Sequence, residues 1–163
     1  MNIYLLTGPV QSGKTTMLVE FCKTHKSIAG ILSPDIDGVR HLIDIESGDK
    51  KVMEAASNEA QTLCIGRYIF SKAAIEWASN ILLNISPQKY KLVIVDEVGP
   101  LELQNNGFSN AIRSLLLQDN LTNLLIVVRE QIIEKVIVHF DLINLNVKII
   151  DHPEQLTVSL MDD

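Results

Sequence analysis

The chain has 163 residues, 47% hydrophobic and 21% charged, a composition that fits one ordinary globular domain. With 20 Asp and Glu against 14 Lys and Arg the formal charge is −6, and only 5% of residues are aromatic, so neither an electrostatic grip on nucleic acid nor an extended base-stacking surface is expected. No apolar stretch approaches a membrane span, and the N-terminal run lacks preceding basic residues and ends at Gly8, so no targeting segment is expected and the expected location is cytoplasmic. Cys22 and Cys64 lack the paired spacing of a zinc or redox site.

In chain order, Ile3 to Leu6 is a short apolar run with β-branched and aromatic members, which predicts a buried strand. Leu18, Phe21 and Cys22 then recur at helical spacing. Between them, Gly8-Pro9-Val10-Gln11-Ser12-Gly13-Lys14-Thr15 is a complete P-loop pattern in the strand–loop–helix context it requires. Gly8 and Gly13 permit backbone angles that let consecutive N–H groups curl around phosphate oxygens, and the helix N-terminus adds partial positive charge. The stretch from Gly8 to Thr16 is the predicted phosphate cradle. Lys14 is expected to reach the β- and γ-phosphates of ATP or another nucleoside triphosphate, and the Thr15 hydroxyl to ligate Mg²⁺. The competing reading is a Gly-rich turn that fits the pattern by chance.

Ile28 to Ser33 is a second apolar run, closed by Pro34 and the Asp35-Ile36-Asp37-Gly38 turn. Val39 to Ile45 alternates as a strand. After Ser47-Gly48-Asp49, Lys51 to Ala55 reads as the returning arm of a hairpin or, from Lys50, Lys51 and Glu54, as a solvated helix. Leu63 to Phe70 is expected to be extended. Ser71 is a plausible N-cap for a helix whose apolar face is Ala74, Ala78, Ile81, Leu82 and Ile85, closed by Pro87. Leu92 to Val95 is apolar throughout, as in a central parallel strand. A helix with Phe108, Ile112, Leu115 and Leu116 on one face follows, then a strand at Leu124 to Val128. A helix with Ile133, Val136, Ile137 and Phe140 precedes a last strand at Val147 to Ile150, Pro153 and an acidic tail. This alternation predicts an α/β fold with a mostly parallel sheet and helices on both faces. The expected organisation is one domain, residues 1–163, with residues 35–70 as an insertion.

Leu92 to Val95 runs into Asp96-Glu97, four apolar residues followed by two acids, the Walker B pattern. Acids at the carboxyl end of a parallel strand project toward the ligand crevice. Asp96 is expected to hold Mg²⁺, and Glu97 to orient or deprotonate the attacking water. Because Gly99 and Pro100 break the extended run, the strand is expected to end there, which would let both acids face one crevice. The simpler alternative is that they solvate the end of a strand.

The run Asp96-Glu97-Val98-Gly99-Pro100-Leu101-Glu102-Leu103, with Phe108 downstream, resembles the signature of the small thermophile-type P-loop nucleoside triphosphatases, a family that includes the so-called cancer-related nucleoside triphosphatase. Gly8 to Thr16, Gly30-Ile31 with Arg40, Ser47-Gly48 and Gly66-Arg67-Tyr68 also match, so the resemblance covers nearly the full length. It implies a RecA-like sheet in which the strand after the Walker B strand lies between it and the P-loop strand, with the residue 35–70 region supplying a β-hairpin insertion. It also implies Mg²⁺-dependent hydrolysis of several nucleoside triphosphates to diphosphate and phosphate, with Glu97 as the catalytic carboxylate. In that order Arg129, ending its strand, would stand near the γ-phosphate. Arg40 and Arg67 could close over the triphosphate, or simply be surface arginines. The segment from Asp35 to Ile43 departs from the family by being short and lacking a Gly-Phe after the arginine.

Tyr68 or Trp77 could stack on a base, against core packing as the commoner fate of both. Asn146 to Asp151 has the wrong spacing for a guanine-reading motif, so broad base specificity is expected. Two alternatives to hydrolysis are a small-molecule kinase, with its acceptor bound by the insertion, and a nucleotide-dependent switch acting on a protein partner.

Overall fold

The computed structural model of the chain describes residues 1–9 and 11–156. Strand β1 (Asn2–Leu6) leads through the Gly-rich loop into helix α1 (Lys14–Thr24), followed by β2 (Ile28–Leu32), β3 (Asp35–Ile36), β4 (Val39–Asp44) and β5 (Lys50–Val52). Next come β6 (Thr62–Ile65), β7 (Tyr68–Ser71), α2 (Lys72–Leu83), β8 (Leu92–Val98), the single turn α3 (Pro100–Leu103), α4 (Ser109–Leu116), β9 (Asn123–Val128), α5 (Ile133–His139) and β10 (Val147–Ile150). The main sheet has the order β10-β1-β9-β8-β2-β4-β3, with β5 paired to β4. Strands β10, β1, β9, β8 and β2 run parallel, whereas β4 is antiparallel to its neighbours. Strand β9 therefore lies between β1 and β8, as expected of a RecA-like sheet.

Alternation along the central strands divides the core in two. Val93 and Val95 of β8, with Ile3, Leu5, Leu124 and Ile126, face α2, α4 and α5 through Ala78, Leu82, Ile112, Leu115 and Val136. Leu92 and Ile94, with Tyr4, Leu6, Leu125 and Val127, face α1 through Leu18 and Phe21. Burying each such aliphatic side chain contributes about 1.5–3 kcal/mol, so a continuous apolar run is what a strand covered on both sides requires. Gly30 in β2 approaches β8 so closely that a Cβ would stand 1.9 Å from the carbonyl oxygen of Ile94, and its φ of +126° suits glycine.

Ser71 caps α2 as expected, its Oγ accepting from the Ala74 N–H at 3.1 Å. Lys50–Val52 forms the strand arm of a hairpin with β4 rather than a helix. The expectation of one extended segment over Leu63–Phe70 is corrected, because the chain reverses at Gly66-Arg67 and pairs Leu63 with Phe70 and Ile65 with Tyr68. Gly66, at φ +57°, supplies the turn. The acidic tail beyond Leu156 lies outside the described residues.

Candidate active site

The carboxyl ends of β1, β8 and β9 lie side by side and present the P-loop, the Asp96-Glu97 pair and Arg129 at one edge of the sheet. At such an edge, backbone groups and charged side chains converge outside the strands. In the loop, Gly13 occupies the left-handed region (φ 81°, ψ 15°) and starts α1. Pro9, Gln11, Ser12, Gly13 and Thr16 are exposed, while Gly8, Lys14 and Thr15 are half-buried. Val10 lies outside the described residues. Lys14 folds back across the loop, its Nζ donating to Gly8 O at 3.1 Å, Pro9 O at 2.8 Å and Ser12 Oγ at 3.1 Å. These partners are neutral oxygens, which phosphate oxygens can replace with stronger, charge-assisted bonds.

Asp96 is 1% exposed. Its Oδ2 accepts from the Ser33 N–H at 2.9 Å, which ties the end of β8 to the residue after β2. Its Oδ1 is buried and has no hydrogen-bond partner among the described residues, and the same holds for Ser33 Oγ and Thr7 Oγ1. Leaving such an atom unsatisfied costs about 1–3 kcal/mol, more for a charged group. Burial raises the Asp96 pKa above the ordinary carboxylate value, the Ser33 N–H opposes this, and the charge of Glu97 adds to it. A cation beside Oδ1 would relieve both the desolvation and the missing partner. Thr15 and Asp96 offer the hard oxygens that Mg²⁺ takes. Among the described residues no three His, Cys, Asp or Glu side chains converge on a metal position, so the remaining ligands there would have to be phosphate oxygens and waters.

Glu97 differs from its neighbour in backbone as well as in environment. The pairing of β8 with β9 shifts register between Val95 and Val98, and Glu97 itself has φ +65°. The strand does not end before Val98, so a bulge rather than strand termination sets the two adjacent acids apart from simple alternation. This corrects the expected reason for their placement. A non-glycine residue in the left-handed region is uncommon and costs about 1–3 kcal/mol where surrounding structure enforces it.

Two arginines pair with the Glu97 side chain. Arg40 of β4 donates from Nη1 to Glu97 Oε2 in a short charge-assisted bond, and Arg129, just past β9, donates from Nη2 to Oε1 at 3.1 Å. Sequence reasoning put Arg129 near this edge but missed its pairing with Glu97, and it offered Arg40 only as a possible cover for the phosphates. Pairing between residues 57 positions apart leaves no local sequence signal. The side chains of Glu97, Arg40 and Arg129 remain 23%, 35% and 46% exposed, so each pair is solvent-screened and worth about 1 kcal/mol or less.

Arg67 is not in this cluster; it donates to the Tyr68 hydroxyl at 3.2 Å on the tip of the β6–β7 hairpin. Tyr68 is 50% exposed, which corrects the expectation that it packs in the core, whereas Trp77 does pack against the α2 side of the core. Glu102 is a further buried carboxylate, accepting from the N–H groups of Gly99 at 2.7 Å and Phe108 at 3.1 Å, and it fixes the segment that follows the two acids. Burial pushes its pKa up to about 7 against those two bonds. Pro100 and Glu102, at the first and third positions of α3, were its signal in the sequence.

Residues 3–151 match the family model described as NTPase. Among curated proteins, the nucleoside-triphosphatase THEP1 of Methanopyrus kandleri is 31% identical over 118 residues, covering 67% of this chain and 64% of that protein. THEP1 of Caldivirga maquilingensis is 28% identical over 120 residues, covering 68% and 66%. The chain thus spans just under two thirds of the length of these two relatives. Of solved structures, THEP1 from the hyperthermophile Aquifex aeolicus superposes with a TM-score of 0.71 at 22% identity, covering 99% of this chain and 96% of that one. The solution structure of a human cancer-related nucleoside triphosphatase gives 0.64 at 22% identity, covering 92% and 87%. Both support the same mostly parallel α/β fold.

Proposed function

Because this chain belongs to the NTPase family, we propose that it hydrolyses nucleoside triphosphates to diphosphate and phosphate, with Mg²⁺ and with little discrimination among bases. The observation that carries the reading is the arrangement at the carboxyl ends of β1, β8 and β9. There a phosphate cradle with a neutral-bonded lysine borders a buried, half-satisfied aspartate and a glutamate held by two guanidinium groups.

In this reading the loop N–H groups and Lys14 bind the β- and γ-phosphates and hold the chain in line for attack. Thr15 and Asp96 would hold Mg²⁺, which when bound neutralises phosphate charge and favours departure of the diphosphate. Glu97 accepts a proton from the attacking water as its oxygen bonds to the γ-phosphorus and the bond to the bridging oxygen breaks. A triphosphate brings several negative charges to Arg40 and Arg129, whose present pairs are solvent-screened. Transfer of either guanidinium to the γ-phosphate frees an oxygen of Glu97 for the water and stabilises charge on the transferred group.

Phosphate release from ATP, GTP, CTP and UTP, with and without Mg²⁺, tests the proposal when run beside Lys14→Ala. Comparable Mg²⁺-dependent rates for all four, lost in the variant, are expected. A rate that appears only on adding a metabolite acceptor would instead indicate a kinase.

A further inference from the structure

The β6–β7 hairpin presents an aromatic ring to water. Tyr68 is 50% exposed and Ile69 53%. The Tyr68 ring lies nearly parallel to that of Phe70, at 7° with centroids 6.2 Å apart. The Arg67 guanidinium sits 5.2 Å from its centroid and donates to its hydroxyl at 3.2 Å. Phe70 beside the ring on the same strand face and the Arg67 guanidinium over it restrain the side chain, which lowers the freedom it loses on binding a ligand.

Backbone bonds set where this ring stands. The Met53 N–H donates to Arg40 O at 2.8 Å, the Ser71 N–H to Met53 O at 2.9 Å, and the Ala55 N–H to Ile69 O at 3.0 Å. Strand β7 is therefore separated from Arg40 only by the Met53–Ala55 segment, and Arg40 is a residue that holds Glu97. The hydrogen bond and charge of Arg67 lower the Tyr68 pKa, and the charges of Arg129 and Arg40 lower it further. The hairpin that carries Tyr68 is thus joined through the Met53–Ala55 segment to the strand that supplies Arg40.

We propose that Tyr68 is the stacking platform for the nucleobase of a nucleotide whose phosphates lie in the loop from Gly8 to Thr15. The inference rests on the nucleotide reading of that loop. A flat aromatic ring recognises the π-face that every base has. It therefore binds purine and pyrimidine nucleotides alike, the larger purines somewhat more tightly. This gives broad base tolerance a physical origin in one residue.

Calorimetric titration with two probes tests it: the non-hydrolysable β,γ-imido analogue of ATP, and inorganic tripolyphosphate, which has phosphates but no base. Tyr68→Ala should weaken the imido analogue by about 5–100-fold and leave tripolyphosphate within about twofold of wild type. Tyr68→Trp should keep or improve affinity for the analogue, which guards against a folding defect in the alanine variant. Equal losses for both probes, or no loss for either, would overturn the platform. Lys14→Ala serves as the control for the underlying reading. If it binds both probes like wild type, the loop is not the phosphate site and the platform falls with it. If it loses both while Tyr68→Ala loses neither, only the platform falls.

Discussion

Arg129 donates to Glu97 at 3.1 Å across 32 positions of sequence, from the end of β9 to the bulged end of β8. The contact exists because β9 lies beside β8 in the sheet, so topology brings the residue just past one strand beside the acid that nearly ends the other. In the proposed reaction Arg129 serves twice, first by holding Glu97 and then by meeting the charge that develops on the γ-phosphoryl group. Arg129→Ala should therefore lower kcat by about 10²–10³-fold, the effect typical of losing one preorganised donor to a developing anion. Affinity for the imido analogue of ATP should change by less than about tenfold. Steady-state kinetics paired with titration separates the two, and a loss confined to KM would assign Arg129 to ground-state binding.

Glu102 makes stability depend on pH. Its carboxyl, ordinarily near 4.5, is pushed to about 7 by burial, so between those values the folded protein holds a proton that the unfolded chain has released. Stability from this group is complete below about pH 4.5 and is lost as pH rises through about 7. At about 1.4 kcal/mol per pKa unit the loss approaches about 3 kcal/mol. Urea unfolding from pH 5 to 8 should show this decline, and Glu102→Gln should flatten it whatever its offset in absolute stability. An unchanged slope in the variant would place the titrating group elsewhere.

Gly30→Ala should be strongly destabilising. The added methyl would stand 1.9 Å from Ile94 O at a φ of +126°, combining overpacking against backbone with conformational strain. Together these cost about 2–5 kcal/mol. Denaturant midpoints measure it, and a change below about 1 kcal/mol would mean that β2 can shift away from β8.

How far the sequence could be read follows from the range over which each signal acts. The Leu92–Val95 run and the Gly8–Thr15 pattern are local, and both appear where periodicity and spacing put them. The β4–β5 hairpin was legible for the same reason, since Ser47-Gly48-Asp49 marks its turn. At Gly66-Arg67 a turn hid inside an apolar run, because one glycine between β-branched and aromatic residues does not interrupt a strand pattern by itself. The Arg40–Glu97–Arg129 cluster was less accessible still. Each residue is an ordinary charge in its own segment, and only the sheet order joins them. Nor does alternation foretell the bulge at Glu97 or its left-handed backbone.

In the proposed reaction Glu97 acts on the attacking water while Asp96 and the loop act on the bound nucleotide. Glu97→Gln keeps the side-chain size and an oxygen able to accept from Arg40 or Arg129, but removes the charge and the basicity. The direct measurement is single-turnover hydrolysis of ATP with Mg²⁺, run with a binding titration of the imido analogue on the same variant. The expected result is analogue affinity within about threefold of wild type and a chemical step slower by about 10²–10⁴-fold, the usual range for a positioned general base. Hydrolysis at the wild-type rate would contradict it and remove Glu97 from the reaction.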